Sequence, residues 1–416
     1  MHKHQNFRPN LNVRLKFPQG FLWGAATSAH QVEGNNTNSD WWAWEHSVKR
    51  TDELRRAGKN PEDYCSGIAC DSYNRYDEDF ALAEHLGQNA HRLSIEWARI
   101  EPREGEFSEE ALDHYEKVLR SAKAHGLVTF VTLHHFTNPL WFAKKGEFTR
   151  EQNIEPFLRY AQTATQRLGQ YVDFWLTFNE PELYSTASYS ICVPQSRNLR
   201  TTYKVAKNLI KAHNLCANFI RHHIRKPVSM AYHLSDLQPW GLLGGLASGI
   251  AHHFANDFIL GRTIKQCDFI GVNYYFHHHI GIFGTRKHSE SNHKVSDMGF
   301  GIHPEGLERV LLNLRKYNKP IYITENGVAD AKDTKREKFI IDHLYHTHRA
   351  IEQGADVRGY MHWSLMDNFE WGYGFGPRFG LVEIDREDLL RRKVRYSAVK
   401  YAEVCRNNYL EYPKKP

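Results

Sequence analysis

The chain has 416 residues, of which 41% are hydrophobic and 25% charged, the balance of an ordinary globular protein with room for a large core. Its net charge of +6 is small for that length and its Lys and Arg residues are dispersed, which excludes a nucleic-acid surface as its main feature. No run reaches membrane-spanning length and residues 1–16 carry no apolar leader core, so the expected compartment is the cytoplasm, with no membrane partner.

Strand-like and helix-like stretches alternate along the chain. An apolar run at 21–25 comes first, and a helix at 76–86 closed by Gly87 leads into a second run at 91–95. A helix at 109–125 closed by Gly126 precedes a third at 128–133. Further runs follow at 174–178, 228–232, 269–275, 321–324 and 357–363, with helices at 151–168, 202–224 and 336–352 between them. Near-continuous apolar strands separated by helices imply a parallel sheet covered on both faces. Eight such units predict an α/β fold of the closed (β/α)₈ barrel type, and no Gly-x-Gly-x-x-Gly follows the first strand to suggest a dinucleotide fold. Residues 1–16 read as an N-terminal extension and 17–410 as a single barrel. The charged stretch 331–338 reads as a solvated helix face.

The strand ends share one chemistry. Ile-Thr-Glu-Asn-Gly at 323–327 and Thr-Phe-Asn-Glu-Pro at 177–181 each run a hydrophobic strand into an amide and a carboxylate, Glu325 and Glu180. Polar groups also close the strands at 28–34, 134–139, 273–275 and 363–371. In a barrel these tips ring one mouth, where such folds keep their chemistry. Amide, imidazole, carboxylate and indole groups together suit a small, neutral, polyhydroxylated ligand, and the 10 Trp, 21 Tyr and 23 Phe offer faces to stack on it. No phosphate-cradling glycine loop and no cluster of arginines prepares for an anion.

A metal is the rival use for 26 histidines. Adjacent residues of a strand face opposite ways, so His134 and His135 do not both face the lumen. The His277/His279 pair reads as a surface pair and no His-Glu-x-x-His is present, so neither a metal nor another cofactor is expected. Cys65 and Cys70 are near enough in sequence to bridge, while Cys192, Cys216, Cys267 and Cys405 are scattered.

Two carboxylates on the fourth and seventh strands converge over the mouth from different walls. Such a pair hydrolyses glycosidic bonds, with retention at a separation of about 5–5.5 Å and inversion at roughly 6.5–9.5 Å. The acid of the pair needs an apolar setting, which Glu180 has beside Pro181. The nucleophile needs a cation or donors, for which Arg92 and the hydroxyl of Tyr275 are the candidates.

The two Glu segments resemble the signatures of glycoside hydrolase family 1, the β-glucosidase/β-galactosidase family. The opening Phe17-Pro18-x-Gly20-Phe21-Leu22-Trp23-Gly24 with Gln31-Val32-Glu33-Gly34 resembles that family's start. Trp363-Ser364-Leu365-Met366-Asp367-Asn368-Phe369-Glu370-Trp371 resembles its end. The resemblance implies a retaining exo-β-glycosidase with Glu180 as acid/base and Glu325 as nucleophile. It further implies that Gln31, His135, Asn179, Glu370 and Trp371 bind the terminal sugar over Trp363. Arg92, Asn273 and Tyr275 would support the nucleophile. A carboxylate at Glu370 implies an unphosphorylated β-glycoside, because the branch taking 6-phosphorylated sugars lacks that acid. Departures from the family pattern are His30, the segment 134–139, the segment 192–195 and a short connection at 234–267. They fall mainly on the leaving-group side. A transglycosylase and a non-catalytic sugar-binding barrel are the alternatives. Glucose, galactose and fucose use the same readers, and neither the aglycone nor the oligomeric state is written in the sequence.

Overall fold

The structure, a computed structural model, describes residues 12–186, 198–282, 284–286 and 295–413. Eight parallel strands form a closed barrel: β1 (Leu22–Ala26), β2 (Ala90–Ser94), β3 (Val128–His134), β4 (Phe174–Asn179), β5 (Val228–His233), β6 (Ile270–Asn273), β7 (Ile321–Asn326) and β8 (Val357–Trp363). These are the eight runs read from the sequence. The ring closes where Tyr360 of β8 pairs with Trp23 of β1, and Gly24 pairs with Ala90 on the other side. A side chain at Gly24 would place its Cβ 2.2 Å from the Ala90 carbonyl oxygen, so the first strand approaches the second only as glycine.

The covering helices include α1 (Ser72–His85), α2 (Glu109–Ala124), α3 (Ile154–Leu168), α4 (Leu199–Phe219), α5 (Pro304–Leu314) and α6 (Arg336–Glu352). Helix α2 shows why they form. Ser108 accepts from the Ala111 amide at its start, Glu109 and Glu110 sit in its first turn, and Lys123 sits in its last. Its buried residues Leu112, Tyr115, Val118, Leu119 and Ala122 recur at three- and four-residue spacing and seat one face on the barrel.

The base of the lumen is filled. Phe130 and Phe174 stack at 4.3 Å and 6°, and Phe269, Tyr322, Leu176 and Met361 pack around them. Each aromatic pair adds about 0.5–1.5 kcal/mol beyond simple burial. Chemistry is thereby confined to the upper, C-terminal mouth. After β6 the chain leaves the barrel earlier than the predicted run 269–275. It enters a small sheet in which His277–Gly281 pairs with Asp236–Pro239 and Gly284–Arg286. At the opposite pole of the chain, Asn12–Lys16 pairs antiparallel with Tyr409–Pro413.

Two expectations need correction. Cys65 and Cys70 are free thiols; Cys70 Sγ donates to the Asp367 carbonyl at 3.0 Å, while Cys65 Sγ turns to the Glu45 carbonyl at 3.7 Å. Cys192 and the segment 192–195 lie outside the described residues. Nor is the stretch 331–338 wholly solvated. Arg336 is fully buried, donating to the backbone oxygens of Asp330 (2.6 Å) and Arg378 (2.9 Å) and pairing with Asp333. Among the described residues, no helix is long and apolar enough to cross a membrane.

Candidate active site

Both carboxylate-bearing strands carry an irregularity just before the acid. On β4, Leu176 pairs with Ser229 but Asn179 pairs with Ala231, so three steps on one strand match two on the other. Thr177 and Phe178 consequently both face helices. Thr177 Oγ1 contacts His213 Nδ1 of α4 at 2.7 Å, and the Phe178 ring lies 4.6 Å from Phe157 of α3. Asn179 then turns back to the lumen. On β7, Ile323 pairs with Val272 but Glu325 pairs with Asn273, again one residue out of step. Bulges of this kind re-aim a side chain that strict alternation would send elsewhere. Gly327 completes the β7 motif: a Cβ there would lie 1.8 Å from the Trp363 carbonyl oxygen, so the chain after Glu325 touches β8 backbone to backbone.

A cavity of about 540 Å³ opens at the mouth, and Glu180 and Glu325 both line it. At its polar end stand Gln31, His135, Asn179, Trp363, Glu370 and Trp371. Leu183, Phe276, Met298 and Phe300 form an apolar wall. The backbone is held in the left-handed region at Phe136 (φ 72°), Glu180 (φ 43°) and Trp371 (φ 46°), a conformation that costs non-glycine residues about 1 kcal/mol or more. Three such residues around one cavity mark it as a place where the fold gives up stability.

Arg92 of β2 organises the floor. Its side chain is 1% exposed and lies in an ion pair with Glu325. It also donates to Asn179 Oδ1 at 2.5 Å, to the Thr324 carbonyl at 3.3 Å and to Asn273 Oδ1 at 3.5 Å. Tyr275 donates its hydroxyl to the other Glu325 oxygen at 2.9 Å. Asn273 is fixed by Thr324 Oγ1 at 2.7 Å, and its amide donates to Asn179 Oδ1 and to Glu180 Oε1, both at 3.0 Å. Arg92, Asn179, Asn273 and Tyr275 thus form one connected scaffold between the two acids.

Donors are shared out unequally. Both oxygens of Glu325 have one, whereas Glu180 is held only at Oε1, leaving Oε2 without a hydrogen bond among the described residues. Burial pushes the Glu325 carboxyl up to about 7 against the pull of Arg92, with the neighbouring Glu180 raising it further. The negative charge belongs on the acid whose oxygens both have donors.

The polar end of the cavity holds buried polar atoms with no hydrogen-bond partner among the described residues. Asn179 donates its amide to His135 Nε2 at 3.1 Å, which leaves the hydrogen of His135 on Nδ1, a buried donor without a partner. Burial and the Arg92 charge keep this imidazole neutral, well below the usual histidine range. Glu370 Oε2 is likewise buried and unpartnered, and burial followed by the charges of Glu325 and Glu180 pushes that carboxyl up to about 8. Unsatisfied buried groups facing a cavity are the groups a ligand satisfies. Gln31 is tied by its amide to Asn368 Oδ1 (3.1 Å) and the Phe369 carbonyl (2.7 Å), with Ser28 donating to its oxygen at 2.7 Å. Trp363 and Trp371 flank His135 with nearly parallel rings, at 6.2 and 6.0 Å. His30 stacks on Trp371 from behind at 5.6 Å and is held by Glu45 at 2.7 Å and Asn36 at 3.1 Å. All eleven residues singled out in the sequence therefore meet in one site. His134 faces away, among Phe148, Phe157, Phe178 and Tyr184.

His277 is buried, not a surface residue, and pairs through Nδ1 with Asp236 at 2.6 Å. With His303 these residues form the one cluster of metal-ligand type found among the described residues. Arg309 donates to Asp236 Oδ2 and to His303 Nε2, each at 2.6 Å. A guanidinium already supplies the positive charge there, so the cluster is an ion-pair network.

The profile of "Glycosyl hydrolase family 1" matches residues 13–242 and 261–410. The chain belongs to glycosyl hydrolase family 1. It is a glycoside hydrolase of the β-glycosidase kind. It is 31% identical to Beta-glucosidase A of Acetivibrio thermocellus over 95% of this chain and 99% of that one. A Beta-galactosidase of Sulfolobus acidocaldarius is 29% identical over 95% and 96%. Among solved structures, a beta-glycosidase from Pyrococcus horikoshii superposes with a TM-score of 0.86 at 37% identity, covering 96% of this chain and 97% of that one. The Beta-glucosidase from Thermotoga maritima in complex with castanospermine gives 0.86 at 28%, covering 95% and 100%. The stretch 243–260, between β5 and β6, has no match in the family profile. It holds the helix Gly244–His252 and the start of Phe258–Thr263, within the connection that the sequence marks as short.

Sequence reasoning missed His233, whose Nδ1 lies 3.3 Å from Glu180 Oε1, and Glu182, buried nearby. His233 ends β5, where the rule that located the other site residues also applies, and Glu182 follows the end of β4 on the helix Pro181–Thr186. It missed the apolar wall because Leu183, Phe276, Met298 and Phe300 belong to connections without a periodic signal.

Proposed function

We propose that this family 1 enzyme is a retaining exo-β-glycosidase acting on unphosphorylated β-glycosides by double displacement. Glu325 is the nucleophile and Glu180 the acid/base. In the first step a Glu325 oxygen attacks the anomeric carbon, the bond to the leaving oxygen breaks, and Glu180 Oε2 delivers its proton to that oxygen. In the second step Glu180, now a carboxylate, takes a proton from water, whose oxygen attacks the same carbon and releases Glu325. Arg92 and Tyr275 hold the nucleophile charged and oriented. Asn179, fixed from two sides, meets the 2-hydroxyl, where a hydrogen bond strengthens in the transition state. His135 Nδ1 and Glu370 Oε2 take up sugar hydroxyls, Gln31 and Trp371 complete that end, and Trp363 is the stacking floor.

The observation that carries this reading is the unequal supply of donors to two acids facing one cavity. Against phosphorylated sugars, the cavity lining among the described residues holds no lysine or arginine, and the nearby Arg92 charge is already committed to Glu325. The wall of Leu183, Phe276, Met298 and Phe300 favours an aryl or alkyl aglycone over a second sugar. The free thiols of Cys65, Cys70, Cys216, Cys267 and Cys405 fit a reducing, cytoplasmic setting. Glu325→Ala tests the assignment. It removes turnover of an aryl β-glucoside, and azide restores part of it by attacking the vacated face to give the α-glycosyl azide. Unchanged turnover in that variant, or a β-azide product, overturns the nucleophile.

A further inference from the structure

We infer that His233 is a positioning residue for the acid/base: through Glu180 Oε1 it fixes which carboxyl oxygen carries the proton. This rests on the reading of Glu180 given above. His233 ends β5, the strand next to the one that delivers Glu180, and the Glu180 amide donates to the Ala231 carbonyl at 2.8 Å. The imidazole is buried and lines the cavity. Its Nδ1 lies 3.3 Å from Glu180 Oε1, the same oxygen that accepts from Asn273 at 3.0 Å. Two partners on one oxygen leave Oε2 as the oxygen that faces substrate.

The ring has its own supports. Ser235 Oγ stands 3.5 Å from Nε2, which suits a hydroxyl donating to Nε2 and a hydrogen on Nδ1. The His233 amide donates to Glu182 Oε2 at 3.1 Å, and Phe276 packs against the imidazole at 5.3 Å. The titratable groups felt by Glu180 are Glu325 on β7, Tyr275 after β6, Glu370 after β8, Glu182 on the helix Pro181–Thr186 and His233 itself. Of these, among the described residues, His233 alone makes a direct hydrogen bond to the Glu180 carboxyl.

A donor on Oε1 serves both halves of the reaction. While Glu180 is protonated on Oε2, Oε1 accepts as a carbonyl oxygen and the proton stays aimed at the leaving group. Once the proton is gone, the same Nδ1–H stabilises the carboxylate that must act as base. Taking the donor away destabilises the ionised form, so the protonated acid persists to higher pH. The variants to make are His233→Phe and, should it fail to fold, His233→Leu.

Steady-state pH profiles are measured for an alkyl β-glucoside, which needs protonation to leave, and for 2,4-dinitrophenyl β-glucoside, which does not. The expected result is a loss of about tenfold or more in kcat/KM on the alkyl substrate. Its basic limb moves up by roughly half to one pH unit. The activated substrate loses no more than about threefold in kcat/KM, whose first step requires no proton. His233→Asn, which retains an N–H donor, should restore much of the alkyl rate and bring the limb back. An unmoved limb, equal losses on both substrates, or an Asn variant no better than Phe overturns the proposal. Glu180→Gln, measured in parallel, separates the two readings. If the basic limb survives in Glu180→Gln, the acid assignment itself fails; if it vanishes there but stays fixed in the His233 variants, only the role of His233 fails.

Discussion

Replacing Arg92 by Met keeps the length and apolar stem of the side chain and removes its charge. The guanidinium is 1% exposed and is the cation paired with Glu325, while also holding Asn179 at 2.5 Å. Deleting one partner of a buried ion pair leaves the other charge uncompensated, typically at a cost of about 3–5 kcal/mol. Glu325 escapes part of that cost by staying protonated. Burial already pushes it up to about 7, and Arg92 is the main group pulling it down. Without Arg92 the carboxyl rises further, so the ionised carboxylate, the proposed nucleophile, is reached only at higher pH. The acid limb of kcat/KM therefore moves up, and at pH 6 activity falls by about a hundredfold or more, with a smaller deficit at pH 9. The destabilisation follows the same sign: it is smallest at low pH, where Glu325 is protonated in either protein, and grows as pH rises through the range in which wild-type Glu325 ionises. Urea unfolding at two pH values and a pH profile with an aryl β-glucoside measure both halves. An acid limb in its wild-type place, alongside a full stability loss, would refute the idea that Arg92 sets the charge of Glu325.

Two further outcomes follow from the geometry. Gly327→Ala puts a methyl 1.8 Å from the Trp363 carbonyl oxygen, where neither backbone can yield cheaply. Thermal melts should show a loss of about 2 kcal/mol or more, with kcat falling because the displaced segment carries Glu325; a silent substitution would mean that β7 and β8 do not meet there. Stability should also fall as pH rises from about 7.5 to 8.5. Burial pushes Glu33 and Asp40 up to about 7, and Glu182 and Glu370 up to about 8, so over that window the folded chain holds protons that the unfolded chain has released. The buried imidazoles of His91, His213, His343 and His362, lowered to about 3, are neutral in the folded chain, and above about pH 7.5 they are almost wholly neutral in the unfolded chain too, so they oppose the trend little there. A Tm that is flat or rising over that range would contradict these shifts.

The barrel was legible because its strands are apolar runs flanked by capped helices, and because eight such units favour closure over an open doubly wound sheet. The site was legible for a related reason: in a parallel barrel every strand tip points to one mouth, so Gln31, His135, Asn179, Glu180 and Glu325 are brought together by topology. Opposite-facing neighbours were also readable, as His134 and His135 show. The bulges on β4 and β7 were not, since a one-residue shift in pairing leaves no mark on composition. Strict alternation from Leu176 would have sent Phe178, not Asn179, into the lumen. Nor could sequence spacing show that Cys65 and Cys70 turn to different carbonyls, or that Arg336 sinks beneath a charged stretch to satisfy two backbone oxygens. Those outcomes depend on partners hundreds of residues away or on loop geometry, as does the contact of His233 with Glu180, separated by 53 positions.

The central claim, that the two acids act in succession on one anomeric carbon, is tested by the anomer first released. Proton NMR of an aryl β-glucoside during the first minutes of hydrolysis, before mutarotation intervenes, should show β-glucose appearing ahead of α. If α-glucose appears first, a single displacement by water is at work and Glu325 is not the nucleophile.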